Sequence, residues 1–162
     1  MKYELKKETV VDTTPEHAWE FIRNPANLNL MVPEDMRFTI VSDLPDEMIE
    51  GMRVEYRVKI PLLGRRKWVS ELKNIVPGTS FVDEQLTGPY KRWHHYHLIE
   101  PVDDGVRFVD IVTYEMPFGF IGRLVHALFV ESKLEHIFSF RERRLHELLS
   151  ASSRLAEKSN SG

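Results

Sequence analysis

The chain of 162 residues contains no cysteine. This absence excludes disulfide bonds, thiol catalysis and zinc sites with cysteine ligands. Long apolar runs are also missing, because the longest uncharged apolar stretch, at residues 124–130, is far shorter than the roughly 20 residues of a membrane-spanning helix. The first residues, MKYELKKE, lack the apolar region of a secretory signal. We therefore expect a cytoplasmic protein without stable membrane insertion.

The sequence also lacks a strong excess of one charge, since 22 basic and 25 acidic residues give a formal net charge of -3. This balance provides no general attraction for nucleic acid, and we predict no nucleic-acid partner. Basic residues do cluster twice, at Arg65, Arg66 and Lys67 and at Arg141, Arg143 and Arg144. The first cluster lies in a predicted turn and the second is interleaved with an acidic residue on a predicted helix, so both are interpreted as solvated surface.

Length and composition are typical of one globular domain. Hydrophobic residues make up 42% of the chain and charged residues 29%, as in ordinary soluble proteins. We predict a single domain over residues 1–149, large enough to enclose a pocket. The segment 150–162 is rich in serine and is predicted to be a disordered tail.

The N-terminal third combines a strand with two short helices. Residues 3–11 alternate loosely and end in two valines, which predicts a strand. Thr14 followed by Pro15 and Glu16 is a helix start, with Thr14 as N-cap. A second short helical turn should end before Pro33, because the residue before a proline disfavours helix.

From Met36 onward the hydrophobic period changes to two, and short turns separate six successive predicted strands. Short turns favour an antiparallel meander, since parallel strands need long crossover connections. A helical period then runs from about Phe120 to Leu149, in which Leu124, Leu128 and Leu134 are assigned to one apolar face. The sequence therefore predicts an α+β fold with a seven-stranded antiparallel sheet and a long C-terminal helix.

The most distinctive stretch is DEQLTGPYKRWHHYH, at residues 83–97. Gly88-Pro89 predicts a turn between two strands. Alternate side chains of a strand share a face, so Trp93, His95 and His97 should lie together on one side. Neither face of this strand is purely apolar, which indicates the wall of a ligand cavity rather than a simple half-buried strand.

This stretch, together with FVDIVTYEMPFG and FSFRERRL further on, resembles the START-like (SRPBCC) superfamily, in particular its small bacterial stand-alone proteins described as ligand-binding or polyketide cyclase/dehydrase-like. Birch-pollen-allergen-type proteins belong to the same superfamily. The shared pattern falls on Asp83, Gln85, Gly88, Pro89, Tyr90, Trp93, His95, His97, Asp110 and Tyr114. The resemblance covers residues 1–149 and implies a helix-grip fold, in which the sheet wraps around the terminal helix and a cavity lies between them.

The resemblance also implies which side chains line this cavity. The predicted ligand-binding residues are Trp68, Phe81, Asp83, Gln85, Trp93, His95, His97, Asp110, Val112, Tyr114, Leu124 and Leu128. The ligand is predicted to be small and largely apolar, lipid-like or polyketide-like, with a polar head.

Two histidines on one strand face would suit a metal if Asp110 or Asp83 supplied a third ligand. The spacing is not a metal signature, and a cavity histidine is more often satisfied by a carboxylate. We predict neither a metal nor a cofactor, and we expect Asp110 to accept a hydrogen bond from one imidazole.

Three functions remain open at the level of sequence. A binding protein needs only the cavity. A cofactor-independent cyclase or dehydratase would use His95 or His97 as general base, with Asp110 and Tyr114 as further catalytic candidates. An interaction protein would dimerise through the outward apolar residues Val109 and Ile111. We favour the binding protein, as a monomer or a homodimer.

Overall fold

The structure is a computed structural model that describes residues 1–60 and 64–150. The predicted disordered tail lies outside the described residues, apart from Ser150. The elements are β1 (Lys2–Val11), α1 (Pro15–Arg23), two 3-10 helices (Pro25–Met31 and Glu34–Met36), β2 (Thr39–Ile40), β3 (Met52–Ile60), β4 (Gly64–Val76), β5 (Ser80–Thr87), β6 (Arg92–Val102), β7 (Gly105–Glu115), α2 (Gly119–Val125) and α3 (Glu131–Leu145). A π-helical turn, His126–Val130, joins α2 to α3, and another, His146–Ser150, follows α3. We call residues 119–150 together the C-terminal helix.

The seven strands form one antiparallel sheet in the order β1-β7-β6-β5-β4-β3-β2. The first strand pairs with the last along its whole length, from Lys2 opposite Glu115 to Val11 opposite Val106. The remaining strands follow one another as the predicted meander. The predicted α+β class and the seven-stranded antiparallel sheet are therefore confirmed.

One strand is much shorter than its sequence pattern suggests. The alternation over residues 36–42 predicts a full strand, but only Thr39 and Ile40 pair with β3. The backbone N–H groups of Val41 and Ser42 both donate to the carbonyl of Glu55, at 2.9 and 3.3 Å. Sharing one acceptor breaks the regular ladder, so the strand ends there.

The start of α1 follows the prediction. The side chain of Thr14 accepts a hydrogen bond from the backbone N–H of His17 at 3.2 Å, and Pro15 occupies the first helical position. Ala18 and Ile22, four residues apart, form the buried face of this helix. The following 3-10 helix is capped in the same way by Asn24.

The C-terminal helix lies on the inner face of the sheet, and the main core forms between them. Its buried positions include Gly122, His126, Leu134, Phe138, Leu145 and Leu149. Leu124 and Leu128 lie two residues away from Gly122 and His126, which is about half a helical turn, and are 52% and 61% exposed. The prediction that these two leucines face inward is therefore wrong.

The outer face of β7 is less exposed than the sequence suggests. Val109 is buried and Ile111 is partly buried. In the sheet, Val109 lies between Glu8 of β1 and Leu98 of β6, so neighbouring strands flank it on both sides. The apolar surface expected to support a homodimer is thus largely covered within the chain itself, and the oligomeric state stays a prediction.

No helix in the described ranges 1–60 and 64–150 combines the length and the apolar character needed to cross a membrane.

Candidate functional site

A cavity of about 370 Å³ lies between the inner face of the sheet and the C-terminal helix. Its wall is mainly apolar and aromatic, with contributions from Phe38, Tyr56, Val58, Trp68, Tyr90, Trp93, Val125, Ile137 and Phe138. Four side chains bring charge or an imidazole to the wall, namely Asp83, His95, Lys133 and Arg141. The space therefore combines an apolar interior with a small polar region.

The predicted ligand-binding residues fall into three groups. Trp68, Asp83, Trp93 and His95 line the cavity. Phe81, Gln85, His97, Asp110, Val112 and Tyr114 do not belong to its wall, although all but Gln85 are buried. Leu124 and Leu128 are on the outer side of the helix, as described above.

The alternation of residues along the strands correctly predicted which side chains lie on the inner face of the sheet. It gave no information on what packs against each of these side chains. Arg141 of α3 contacts Asp110, and His126 contacts Tyr114, so the C-terminal helix covers both β7 side chains. Val112 is fully buried. These positions are core or network residues rather than cavity wall.

The polar centre of the inner face is the carboxylate of Asp110. Its Oδ1 atom lies 2.9 Å from His95 Nε2 and 3.0 Å from His97 Nδ1, and its Oδ2 atom accepts from Arg141 Nε at 2.9 Å. Both imidazoles thus turn a ring nitrogen toward one carboxylate oxygen, and the guanidinium holds the other. The predicted hydrogen bond between Asp110 and a histidine is present.

The charges of this network compensate one another. Burial by itself would raise the pKa of Asp110, but the Arg141 guanidinium and the hydrogen bonds from both imidazoles outweigh burial and hold the pKa well below its usual range. Asp110 is therefore ionised, and it neutralises Arg141. A buried pair of this kind is stable only while both partners are present.

The burial of Arg141 is the largest difference between the sequence prediction and the structure. The basic cluster that contains it is predicted to be solvated, but Arg141 is only 7% exposed. Its Nη1 atom also contacts the sulfur of Met31 at 3.3 Å, which links α3 to the first 3-10 helix. A helical arginine opposite a buried aspartate 31 positions away leaves no local pattern in the sequence.

His97 is enclosed more tightly than His95. Its ring stacks on Phe81, with 4.2 Å between centroids and 9° between planes, and the centroid of the His95 ring lies 3.7 Å away. Burial lowers the pKa of His97 to about 3. This imidazole is neutral at physiological pH and has no direct access to the cavity.

Asp83 lies on the cavity wall beside a second hydrogen-bonded group. Ser70 Oγ accepts from Trp68 Nε1 at 3.1 Å and lies 3.2 Å from the Tyr56 hydroxyl. Ser70 also favours the ionised form of the neighbouring Asp83, because its hydroxyl lowers the pKa of that carboxyl group. The Oδ1 atom of Asp83 is shielded from solvent, and no described residue gives it a hydrogen-bond partner. Burial raises the pKa of this carboxyl group.

Tyr114 and Gln85 have structural roles. The hydroxyl of Tyr114 lies 2.8 Å from Nε2 of His126, whose ring stacks on Tyr3 with 3.6 Å between centroids. Gln85 donates from its amide nitrogen to the Tyr90 carbonyl at 2.8 Å and accepts from the Tyr90 N–H at 3.3 Å. This pair of bonds braces the turn at Gly88 and positions Tyr90 on the cavity wall.

His95, His97 and Asp110 meet one geometric requirement of a metal site, since one donor atom from each lies within 4.8 Å of the others. Arg141 opposes this function. Its guanidinium already supplies a positive charge to the same carboxylate at 2.9 Å, and a divalent cation beside it would be repelled. The arrangement suits a charge-compensated hydrogen-bond network better than a cation site.

Several cavity residues were missing from the sequence prediction. Tyr56 and Val58 belong to the cleanest alternating strand, so the period-two pattern was sufficient to place them on the inner face. The helix positions 125, 129 and 137 depend on how separate segments pack, and the sequence carried no comparable signal for them. Tyr90 belongs to the pattern shared with the resembled superfamily and Phe38 to the alternation over residues 36–42, but neither was predicted as a cavity residue.

Comparisons with known proteins identify the fold. Neither a protein-family model nor a curated protein sequence matches the chain. Among solved structures, the protein TTHA0849 from Thermus thermophilus is similar with a TM-score of 0.65 and 19% identity, over 88% of this chain and 97% of that one. Ara h 8.0201 is similar with a TM-score of 0.56 and 15% identity, over 88% and 96%.

A third similar structure is the di-domain ARO/CYC StfQ from the steffimycin biosynthetic pathway, with a TM-score of 0.71 and 12% identity. The match covers 94% of this chain and 52% of StfQ. At these levels of sequence identity, the similarity concerns the fold alone. The seven-stranded sheet and the long C-terminal helix of this chain agree with that fold. The chain therefore has a helix-grip fold, in which the antiparallel sheet wraps around the long C-terminal helix.

Proposed function

We propose that this protein binds one small, largely apolar ligand with a polar head in the cavity between the sheet and the C-terminal helix. The observation that supports the proposal is the cavity itself, about 370 Å³ in volume, with aromatic and aliphatic walls and a few converging polar groups. Pockets for small organic molecules typically have roughly 300–1,000 Å³ and this composition.

The aromatic residues of the wall form a continuous surface. Trp68 lies 5.3 Å from Trp93 and 5.6 Å from Tyr56, measured between ring centroids, and Tyr90 lies 4.8 Å from Trp93. Rings fixed in this way present a rigid apolar surface at low entropic cost to a bound molecule. Asp83 and His95 reach the same space and would orient the polar head.

Binding can be tested with the protein's own fluorescence and thermal stability. Two of the three tryptophans, Trp68 and Trp93, line the cavity, so a bound ligand should change their emission. A ligand that binds the folded state also raises the melting temperature by mass action. We expect at least one class among lipids and aromatic polyketides to produce both effects in a saturable manner.

A pair of variants locates the binding site. Val125→Phe places a larger side chain inside the cavity, whereas Leu128→Phe enlarges a side chain on the outer face of the same helix. We expect the first change to abolish binding with stability retained or raised, because it fills empty space. The second change should leave binding intact. Equal binding by both variants would place the ligand elsewhere.

One observation favours an enzyme as the second candidate. His95 lines the cavity, and its Nε2 atom is held by Asp110 at 2.9 Å, which is how a carboxylate orients a histidine base. A cyclase or dehydratase could use this imidazole, whereas His97 and Tyr114 do not reach the space. His95→Ala should then abolish turnover with ligand affinity nearly unchanged, and binding without turnover for every tested ligand would contradict the enzyme.

A further inference from the structure

The charges around the cavity do not balance. Arg141 is neutralised by Asp110, and Lys133 forms an ion pair with Asp35 outside the wall. Asp83 has no ion-pair partner in the described part of the chain and is the only carboxyl group among the described residues that line the cavity. Its Oδ1 atom has no hydrogen-bond partner in the described part of the chain. In its ionised form this side chain therefore has an acceptor atom without a donor.

The surroundings of Asp83 are aromatic. Ser70, which favours the ionised form of Asp83, hydrogen-bonds to Tyr56 and Trp68, and both of these rings line the cavity. Trp93 meets Trp68 edge-on, with 87° between the ring planes. The faces of indole and phenol rings attract cations through their quadrupoles, more strongly where water is excluded. One carboxylate among such rings is a favourable environment for an alkylated ammonium group.

The same wall is unfavourable for an anionic head. The Arg141 guanidinium donates from Nε to Asp110 and contacts Met31 through Nη1, and the Asp110 carboxylate offsets its positive charge, which weakens its attraction for an anionic head. An anion would also approach Asp83 itself, at a cost that grows in a low dielectric. Discrimination against acids therefore follows mainly from the Asp83 carboxylate, because both cations of the described wall, Lys133 and Arg141, already lie beside an acidic partner.

Resting on the proposed function, we infer that the polar head of the ligand is an amine, bound as an ammonium group by Asp83 and the neighbouring aromatic rings. The apolar part of the ligand would occupy the remaining cavity. An ammonium ion at this wall supplies a positive charge opposite the Asp83 carboxylate, which has no ion-pair partner among the described residues. The class of ligand is thus a hydrophobic amine.

Three compounds with the same chain and different heads test this inference. Decylamine, decanol and decanoate are titrated against the full-length protein, and binding is followed by displacement of a neutral fluorescent probe from the cavity. We expect decylamine to bind at least tenfold more tightly than decanol, and decanoate to bind most weakly. Decylamine affinity should rise as pH increases and Asp83 ionises, because the amine itself stays protonated up to about pH 10.

Two neighbouring substitutions assign the effect to Asp83. Asp83→Asn keeps the shape of the side chain and removes its charge, so decylamine binding should weaken about tenfold while decanol binding stays within about twofold. Glu84→Gln is the control, because Glu84 is the next residue on β5 and pairs with Lys73 away from the cavity wall. This control should leave all three affinities unchanged.

The possible results separate the two proposals. If neither the probe nor any decyl compound binds the wild-type protein, the binding function itself is wrong. If decanol binds and decylamine binds no better, or if Asp83→Asn weakens both equally, the function stands and the amine inference is overturned. Retained decanol binding by Asp83→Asn also shows that this variant is folded.

Discussion

At the scale of single residues, the fold depends on a few buried charges that satisfy one another. Asp110 receives hydrogen bonds or close contacts from His95, His97 and Arg141, and all four residues are at most 9% exposed. Taking such charges out of water is unfavourable, and their mutual attraction offsets the loss only in good geometry. The network therefore makes the inner face sensitive to any change that leaves one charge unpaired.

Asp110→Asn should destabilise the protein strongly. The substitution leaves the Arg141 guanidinium buried without its counter-charge, which typically reduces the free energy of unfolding by roughly 3–5 kcal/mol. Urea denaturation followed by circular dichroism measures the loss. The double variant Asp110→Asn, Arg141→Met removes both charges and should recover part of it.

A surface ion pair provides the control for this prediction. Glu100 lies 3.6 Å from Arg107 with 44% of its side chain exposed. Glu100→Gln should change the free energy of unfolding by no more than about 1 kcal/mol, as is usual for exposed pairs. An equally small loss in Asp110→Asn would show that the buried network contributes little.

At the scale of elements, the C-terminal helix shows how periodicity can be misread. Six residues separate Leu128 from Leu134, a spacing that does not keep two side chains on one face of a regular helix. The true inner face passes through Gly122 and His126, and a π-helical turn follows at His126–Val130. A glycine and a histidine do not count as apolar in a hydrophobic pattern. The prediction was therefore based on the larger leucines, which lie on the opposite face of the helix.

Leucine truncations along this helix should separate the two faces. Leu145 is 1% exposed and belongs to the main core, so Leu145→Ala should reduce the free energy of unfolding by about 2–5 kcal/mol. Leu124→Ala and Leu128→Ala remove exposed side chains and should change it by no more than about 0.5 kcal/mol. Urea midpoints of the three variants give the comparison. Losses of equal size would mean that the outer leucines are buried in solution, for example against a second copy of the chain.

The strands were predicted more accurately than the helix because their pattern is simpler. A period of two assigns each residue to one of two faces, and Trp93, His95 and His97 are all buried on the predicted face. A residue's face does not determine its neighbours across the core. Asp110 and Tyr114 are covered by Arg141 and His126, and neither of these helix residues was among the predicted site residues.

At the scale of the whole molecule, buried ionisable groups connect folding to pH. Burial lowers the pKa of His97 to about 3, against an ordinary value of 6.5. Between these two values the unfolded chain binds one more proton at this position than the folded protein does. The free energy of unfolding therefore rises with pH across this window and reaches its full value above pH 6.5. Asp110, whose pKa is also lowered, acts in the same direction at pH values below 3.8.

Acid should thus destabilise the wild-type protein, and His97→Gln should reduce this sensitivity. Without His97, the unfolded and folded states differ by one bound proton fewer. The slope of the unfolding free energy against pH should therefore fall by about 1.4 kcal/mol per pH unit between about pH 4 and pH 6. Unfolding free energies from urea titrations at several pH values measure the slope. His136→Gln, at a side chain that is 50% exposed, should leave it unchanged. An identical slope in His97→Gln would mean that His97 is not buried in its neutral form.

The sequence by itself determined the elements that depend on local rules. Thr14 and Pro15 start α1, the alternation of polar and apolar residues defines most strands, and short turns require an antiparallel sheet. Each of these features arises from interactions within a few residues, so the pattern is complete in the chain itself. The inner face of the sheet was predictable for the same reason.

Only the tertiary structure decided which inner-face residues meet open space and which meet the helix. His95 and His97 share a strand face, but the first lines the cavity, whereas the second stacks on Phe81 and does not belong to the wall. Arg141 became a buried partner of Asp110 because the C-terminal helix packs on the inner face of the sheet and brings the two side chains together. Contacts between segments far apart in the chain follow from packing and charge compensation, which no local period encodes.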